Sequence, residues 1–367
     1  MNKKKNIITV ITFAFILLIF SALCYAKPET EFSDSERRPL ATMPDLNFST
    51  VFSGEFMNNF EEFTVDQLPF RDKFRSIKAI FLKNIYRKLD NNGLFIAEGH
   101  LSKLDAEEND AMIEHSANRF RYIYDTYIKD KNCNVYFSVV PDKNFVIAQK
   151  NGFPSMDYTS FINKMKNKTE YMKYIDISSM LSAEDYFYTD SHWKQEKITD
   201  IANIIGASMN TDVTSEYTVN SLNNPFYGVY TGQLPIPFMP DEIKYLTNDT
   251  INNCKVTYYD TGLPVKGEMY NMKKAFGKDP YEMFLSGTSA LITIENENSK
   301  TNKELILFRD SFGSSLAPLL AEGYKKITVI DIRYIQSSYI GNFVEFHDQD
   351  VLFIYSTTLL NNSLALR

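Results

Sequence analysis

Two short stretches, far apart in the chain, carry the residue types that acyl transfer needs. In Tyr188-Thr-Asp-Ser-His-Trp193, Asp190 and His192 are two positions apart. In extended backbone both side chains then leave the same side, so the carboxylate can hold one imidazole nitrogen while the other accepts a proton. The second stretch, Leu305 to Leu320, is an apolar run that stops at the polar corner Arg309-Asp-Ser311 and then turns amphipathic. It predicts strand, tight turn and helix, with Ser311 at the end of a buried strand and the start of a helix. Backbone N–H groups and the positive end of the helix dipole lie close to such a hydroxyl, which suits a serine nucleophile. Ser311 reads equally well as a helix N-cap, a role that Asp310 could also fill.

The elements that would position these residues are strands alternating with helices. Strands are expected at 135–140, 172–177, 304–309, 326–331 and 351–355, with helices at 106–130, around Phe161 and Met165, after Trp193 to about Asn210, and at 314–322. Strand–helix alternation of this kind gives right-handed crossovers and an α/β fold with a mostly parallel sheet flanked by helices. Function in such sheets collects at the carboxyl ends of the strands, where Ser311, Ser356 and the pair Arg333-Tyr334 fall. Residues 211–290, rich in proline, glycine and aromatics, read as a loop-rich insertion of loops and hairpins over the site. Residues 27–104 form a lead-in: a polar stretch, then helical patterns on Phe56, Phe60 and Phe63 and on Phe70, Phe74, Ile77, Phe81, Ile85 and Leu89, then a short hairpin after Asn91-Asn-Gly93. Each helix has one apolar face, expected to pack on the main domain, 105–367; the alternative, a membrane-surface role, is disfavoured by the acidic residues interleaved in the first of them.

Lys3, Lys4 and Lys5 precede an uncharged, mostly apolar run to Ala26, a signal peptide or membrane anchor that places the rest outside the cytoplasm. The chain has 367 residues, 44% of them hydrophobic, and a net charge of −7, which supports a large core and argues against nucleic acid. Cys133 and Cys254 read either as a disulfide, which the compartment permits, or as two buried thiols. Of the other histidines, His115 reads as surface, His100 lacks a partner pattern, and His347 lies in a carboxylate-rich loop that reads as solvated. No metal and no cofactor are expected.

The motifs around Asp190 and Ser311, with Asp66-Gln-Leu-Pro-Phe-Arg71, Val140-Pro141 and Val329-Ile-Asp-Ile-Arg-Tyr334, resemble the DHHW family of exported bacterial proteins from about Ser35 to the end. That family is similar to SGNH-hydrolase-like O-acetyltransferases that decorate alginate and other exopolysaccharides. The resemblance implies an SGNH-like domain in which Ser311, His192 and Asp190 form a triad that moves acetyl groups onto polysaccharide hydroxyls. Ser191 stands where the family's name motif has histidine, while His192 matches the catalytic position. It implies as partners a polysaccharide acceptor, a membrane-bound O-acyltransferase as acetyl supplier, and a polysaccharide synthase complex. Oxyanion donors are expected at the Ser311 N–H and at Gly287, which reads equally as a turn glycine, and substrate contacts at Arg333 and Tyr334. Two rivals stay open: an acetyl esterase with the same triad, and a non-catalytic polysaccharide-binding subunit. No carbohydrate-binding module is expected beyond the last strand, so free oligosaccharide should bind weakly.

The charge pattern around the apolar run makes one prediction. Protease added to intact cells, or to spheroplasts where an outer envelope intervenes, should digest the chain after Lys27; full protection would reverse the assigned topology.

Overall fold

The computed structural model describes residues 3–33, 35–85, 90 and 92–367. It divides into two compact units, Met1–Asn92 with Thr231–Phe238, and Gly93–Tyr230 with Met239–Arg367. The hairpin assigned from sequence to the lead-in therefore belongs to the larger unit.

In the smaller unit, the apolar helix α1 (Lys3–Ala26) is followed by a two-residue pairing of β1 (Phe32–Ser33) with β2 (Arg38–Pro39), then by α2 (Phe48–Ser53), α3 (Glu55–Asp66) and α4 (Arg71–Asn84). Gly54, at φ +80°, ends α2 and opens α3, a left-handed position that a side chain would strain. Ion pairs fasten these pieces. Arg38 clasps Asp66 at 2.6 and 2.8 Å, Arg71 reaches Glu36 at 2.5 Å and Asp66 at 3.3 Å, and Arg75 reaches Glu36 at 3.1 Å. On α3, Phe56 stacks on Phe60, and Phe60 meets Phe63 at a tilt. The stripe on α4 departs from expectation: Phe70, Phe74, Ile77, Phe81 and Ile85 are all exposed. Leu89, the last position of that stripe in the sequence, lies outside the described residues.

The larger unit opens with the hairpin β3 (Leu94–Ala97) and β4 (His100–Lys103). There follow α5 (Asp110–Ile123), β5 (Asn134–Val140), α6 (Tyr158–Lys168), the short β6 (Lys173–Tyr174) and α7 (Thr199–Ser208). The antiparallel pair β7 (Thr218–Phe226) and β8 (Asp241–Thr247) comes next, then β9 (Lys255–Tyr258), β10 (Val265–Gly267), β11 (Leu291–Glu295), β12 (Glu304–Arg309), α8 (Ser311–Leu320), β13 (Lys326–Ile330) and β14 (Asp350–Ser356). One eight-stranded sheet runs β10-β9-β11-β13-β12-β14-β5-β6. From β13 to β6 every neighbour is parallel; β11, β9 and β10 join antiparallel. Part of the region expected as an insertion of loops and hairpins thus extends the sheet. The 172–177 strand is trimmed to an edge pairing of two residues.

Period-two alternation divides the strands between two cores. Leu305, Leu307, Val329, Leu352 and Ile354 face one core with Ile201 and Ile205 of α7 and Leu316 and Leu319 of α8. Ile306, Phe308, Ile330, Val351 and Phe353 face the other with Phe120 of α5 and Phe161 of α6. The architecture is three-layered, with β12 between two parallel neighbours at its centre. The same division explains the cysteines: Cys254 packs at the first core and Cys133 at the second, on opposite faces of the sheet, and both are free thiols.

At the end of β12 two buried groups hold the corner. Arg309 and Asp331 pair at 3.2 Å with both side chains fully buried, and Gly313 approaches so closely that a Cβ there would lie 2.5 Å from Arg309 Cβ. Gly313→Ala should therefore cost about 1–3 kcal/mol of stability through overpacking. A urea titration checks this; an unchanged midpoint would show that the corner can relax.

Candidate active site

The segment carrying Asp190 and His192 is not an extended strand. A bridge between Tyr186 and Trp193, with the Phe187 N–H donating to the His192 carbonyl, closes it into a tight loop. Asp190 reaches His192 by another route: its Oδ1 accepts the His192 backbone N–H at 3.1 Å and faces Nδ1 at 2.6 Å, an Asx turn that also clamps the ring. Oδ2 accepts the Val229 N–H at 2.9 Å. Asp190 is 1% exposed. Burial alone would raise its pKa, but the pairing with His192 and the two backbone N–H donors hold it well below the usual carboxylate range. The ionised carboxylate fixes the proton on Nδ1, leaving Nε2 as the acceptor for the Ser311 hydroxyl at 2.8 Å. The structure thus brings Asp190, His192 and Ser311 into one hydrogen-bonded row, joining residues 119 positions apart.

Each end of the row has its own support. Ser311 is the first residue of α8, so its N–H has no acceptor inside the helix, and capping falls to Asp310. Asp310 accepts the Phe312 N–H at 3.0 Å and the Ser356 N–H at 2.8 Å, tying β12 to the end of β14. Asp310 is thus the cap, and the Ser311 hydroxyl is turned to His192. The imidazole lies flat on Tyr281, with ring centroids 3.9 Å apart. Tyr281 in turn bonds Ser315 Oγ at 2.9 Å, and Ser315 also receives the Trp193 indole N–H at 2.8 Å. Helix α8 thus positions both the hydroxyl and, through Ser315, the rings around the base.

The loop below Asp190 rests on polar groups that sequence reasoning missed. Asp241 accepts the Tyr188 and Thr189 N–H groups and the Thr189 hydroxyl, and Thr189 Oγ1 accepts the Gly228 N–H. At Gly228 a Cβ would stand 2.4 Å from Asp190 Cβ, so only glycine lets this chain pass. Buried Lys143 donates to the carbonyls of Leu101, Phe187 and Tyr188 at 2.8, 2.6 and 3.4 Å, and burial pushes its ammonium down to about 7. Beside it, fully buried His100 stacks on Tyr188 at 4.3 Å, and neither of its ring nitrogens has a well-formed hydrogen bond. None of these contacts has a local sequence signature; the Lys143 partners are 42 to 45 positions away.

Two of the expected site residues, Gly287 and Arg333, are placed otherwise. The Gly287 N–H donates to the Phe284 carbonyl in a turn at φ +70°, and its carbonyl accepts from Arg309, so it is a turn glycine with no donor to spare. Arg333 commits Nε and Nη2 to Asp331 at 2.9 and 2.7 Å and buttresses the Arg309–Asp331 pair instead of opening to a ligand. Tyr334 stands beside it, 47% exposed. His115 bonds Ser363, His347 bonds Asp348 and Gln349, and among the described residues no cluster suits a metal ion.

No protein-family model matches the sequence, and no curated protein matches it. Solved structures do. A DHHW family protein from Eubacterium siraeum aligns with a TM-score of 0.60 at 20% identity, covering 76% of this chain and 95% of that one. Bacillus cereus PatB1 with a sulfonyl adduct aligns at 0.59 and 22% identity, over 73% of this chain and 95% of that one. PatB1 in a second structure aligns at 0.57 and 22%, over 74% and 97%. At this identity the likeness is one of fold, and it is the fold of a DHHW family protein.

The buried imidazole below the loop predicts an acid sensitivity. Burial, and then the neighbouring Lys143, push His100 from 6.5 down to about 4, so between those values the unfolded chain binds a proton that the folded chain refuses. Stability should fall as pH drops from about 6.5 towards 4, and His100→Phe should flatten that limb. Urea midpoints at pH 7 and pH 5 for both proteins check this; equal slopes would remove His100 as the cause.

Proposed function

We propose that this chain is an extracytoplasmic O-acetyltransferase that acetylates hydroxyls of an extracellular polysaccharide through an acetyl-serine intermediate on Ser311. The observation that carries the reading is the row Asp190, His192, Ser311, with Oγ 2.8 Å from Nε2 and Nδ1 2.6 Å from the carboxylate. The fold shared with a DHHW family protein and with PatB1, and the apolar α1 ahead of the domain, agree with it.

The chemistry follows from that geometry. Ser311 Oγ attacks the acetyl carbonyl as its proton passes to His192 Nε2, and the uncommitted Ser311 N–H, at the positive end of α8, stabilises the oxyanion. His192 then protonates the departing oxygen of the donor. In the second half a sugar hydroxyl gives its proton to Nε2 and attacks the acetyl-serine, restoring Oγ–H. Asp190 stays ionised throughout and stabilises the imidazolium. Because acetyl-CoA is a cytoplasmic compound, the donor is handed across the membrane; a membrane-bound O-acyltransferase supplies it, and a synthase complex brings the polysaccharide chain.

A sulfonyl adduct is present in one PatB1 structure, and an aryl sulfonyl fluoride is accordingly a fitting probe of an activated hydroxyl here. It should label Ser311 and no residue in Ser311→Ala. With an activated acetyl ester, Ser311→Ala and His192→Ala should each lose several orders of magnitude in turnover, and Asp190→Ala less, since triad members fail together. Mass analysis of oligosaccharides incubated with the donor decides between rivals. Acetylated sugar supports the transferase, free acetate alone with every acceptor makes it an esterase, and wild-type turnover by Ser311→Ala ends the enzymatic reading.

A further inference from the structure

Helix α4 is amphipathic in the opposite sense to a surface helix in water. Its apolar residues Phe70, Phe74, Ile77, Phe81 and Ile85 recur at spacings of four, three, four and four, a single stripe, and all stand between 43% and 66% exposed. The arginines of the same helix are the half-buried ones. Arg71 and Arg75 are only 15% and 19% exposed and are spent on Glu36 and Asp66. The charged side is thus fastened to the protein and the apolar side is offered outwards. Lys73 and Lys78 are exposed on the helix too, and the Lys73 ammonium sits 5.6 Å from the Phe70 ring, its stem able to lie along the apolar face while its head reaches outwards.

What covers the stripe is indicated by α1. The segment Lys3–Cys24 has 22 residues, none of its apolar window buried, and at 1.5 Å per residue spans about 33 Å, the thickness of a bilayer's hydrocarbon core. Phe20 of α1 meets Phe74 of α4, with ring centroids 5.8 Å apart. Phe20 is four residues, or about 6 Å, before the outer end of that span, the depth to which helices lying in a membrane interface bury their apolar face. We propose that α4 lies in the outer-leaflet interface of the membrane that α1 crosses, with Phe70, Phe74, Ile77, Phe81 and Ile85 among the acyl chains and Lys73 and Lys78 at the phosphate groups. This is independent of the acetyltransferase reading and holds if Ser311 catalyses nothing.

The full chain, reconstituted in vesicles of phosphatidylcholine and phosphatidylglycerol, tests it. The native Trp193 is fully buried, and wild-type protein supplies its background. Ile77→Trp, and separately Phe81→Trp in case the first misfolds, should add blue-shifted emission that loses about half its intensity when the lipid carries bromine on its acyl chains, and that aqueous iodide leaves unchanged. Added emission that iodide quenches and brominated lipid does not would place the stripe in water and overturn the proposal. Emission insensitive to both quenchers but altered on diluting the protein in lipid would assign the stripe to a second copy of the chain and overturn it equally.

Discussion

The structure of the site depends on keeping one carboxylate ionised where almost no water reaches it. Asp190 is 1% exposed, and an unpaired charge there would cost several kcal/mol or neutralise itself. It stays ionised because both oxygens are occupied, Oδ1 by the His192 backbone and ring and Oδ2 by the Val229 N–H. Those donors must be delivered from two chain segments at once. This explains why the Asp190 loop is closed by the Tyr186–Trp193 bridge and why Gly228 passes without a side chain. It also explains why Asp241 and Lys143 satisfy the loop's remaining N–H and carbonyl groups. Removing any one support leaves a buried polar group unpaired next to the carboxylate, so the loop tolerates little independent variation.

The Ser311 half of the row is built on a different physical basis. Ser311 owes its place to a strand buried on both faces, whose end is fixed by register with β13 and β14 and by the Arg309–Asp331 pair. The site therefore joins a rigid sheet end to a hydrogen-bonded loop. Tyr281 and Ser315 couple them, since one hydroxyl pair braces the ring that stacks on the imidazole and the helix that begins with Ser311. The alignment between Ser311 and His192 is consequently set by the packing of α8 as much as by either segment alone.

The strands and the meeting of Asp190, His192 and Ser311 were legible in the sequence for a clear reason: buried parallel strands are short apolar runs, and Asp-x-His beside a strand-Ser-helix corner is a local pattern. The hairpin, the edge pairing at β6 and the β9–β10 extension were less so, because their identity lies in partners far along the chain. Gly287 and Arg333 show the limit most plainly. Both sit at strand-end or turn positions where function is expected, and both prove to be spent on structure, which only the hydrogen-bond partners reveal. The stripe on α4 was visible as periodicity, but periodicity gives the face and not its solvent. The ion pairs that turn the arginines inward decide that.

Transfer and hydrolysis share the same acyl-enzyme, and water is always the more abundant nucleophile. A transferase that binds loose oligosaccharide weakly can still favour sugar if the acceptor arrives at high local concentration, because confinement converts a bimolecular encounter into one within an assembly. A chain held by α1 and, as proposed, by an interfacial α4 would meet this need. On the proposed reading it would be restricted to the membrane surface, where a lipid-side donor and a nascent polysaccharide would both be confined. On this account the exposed apolar stripe and the buried carboxylate serve one reaction by separate means: the carboxylate sets how readily Ser311 is acetylated, and the membrane sets which hydroxyl is waiting when it is.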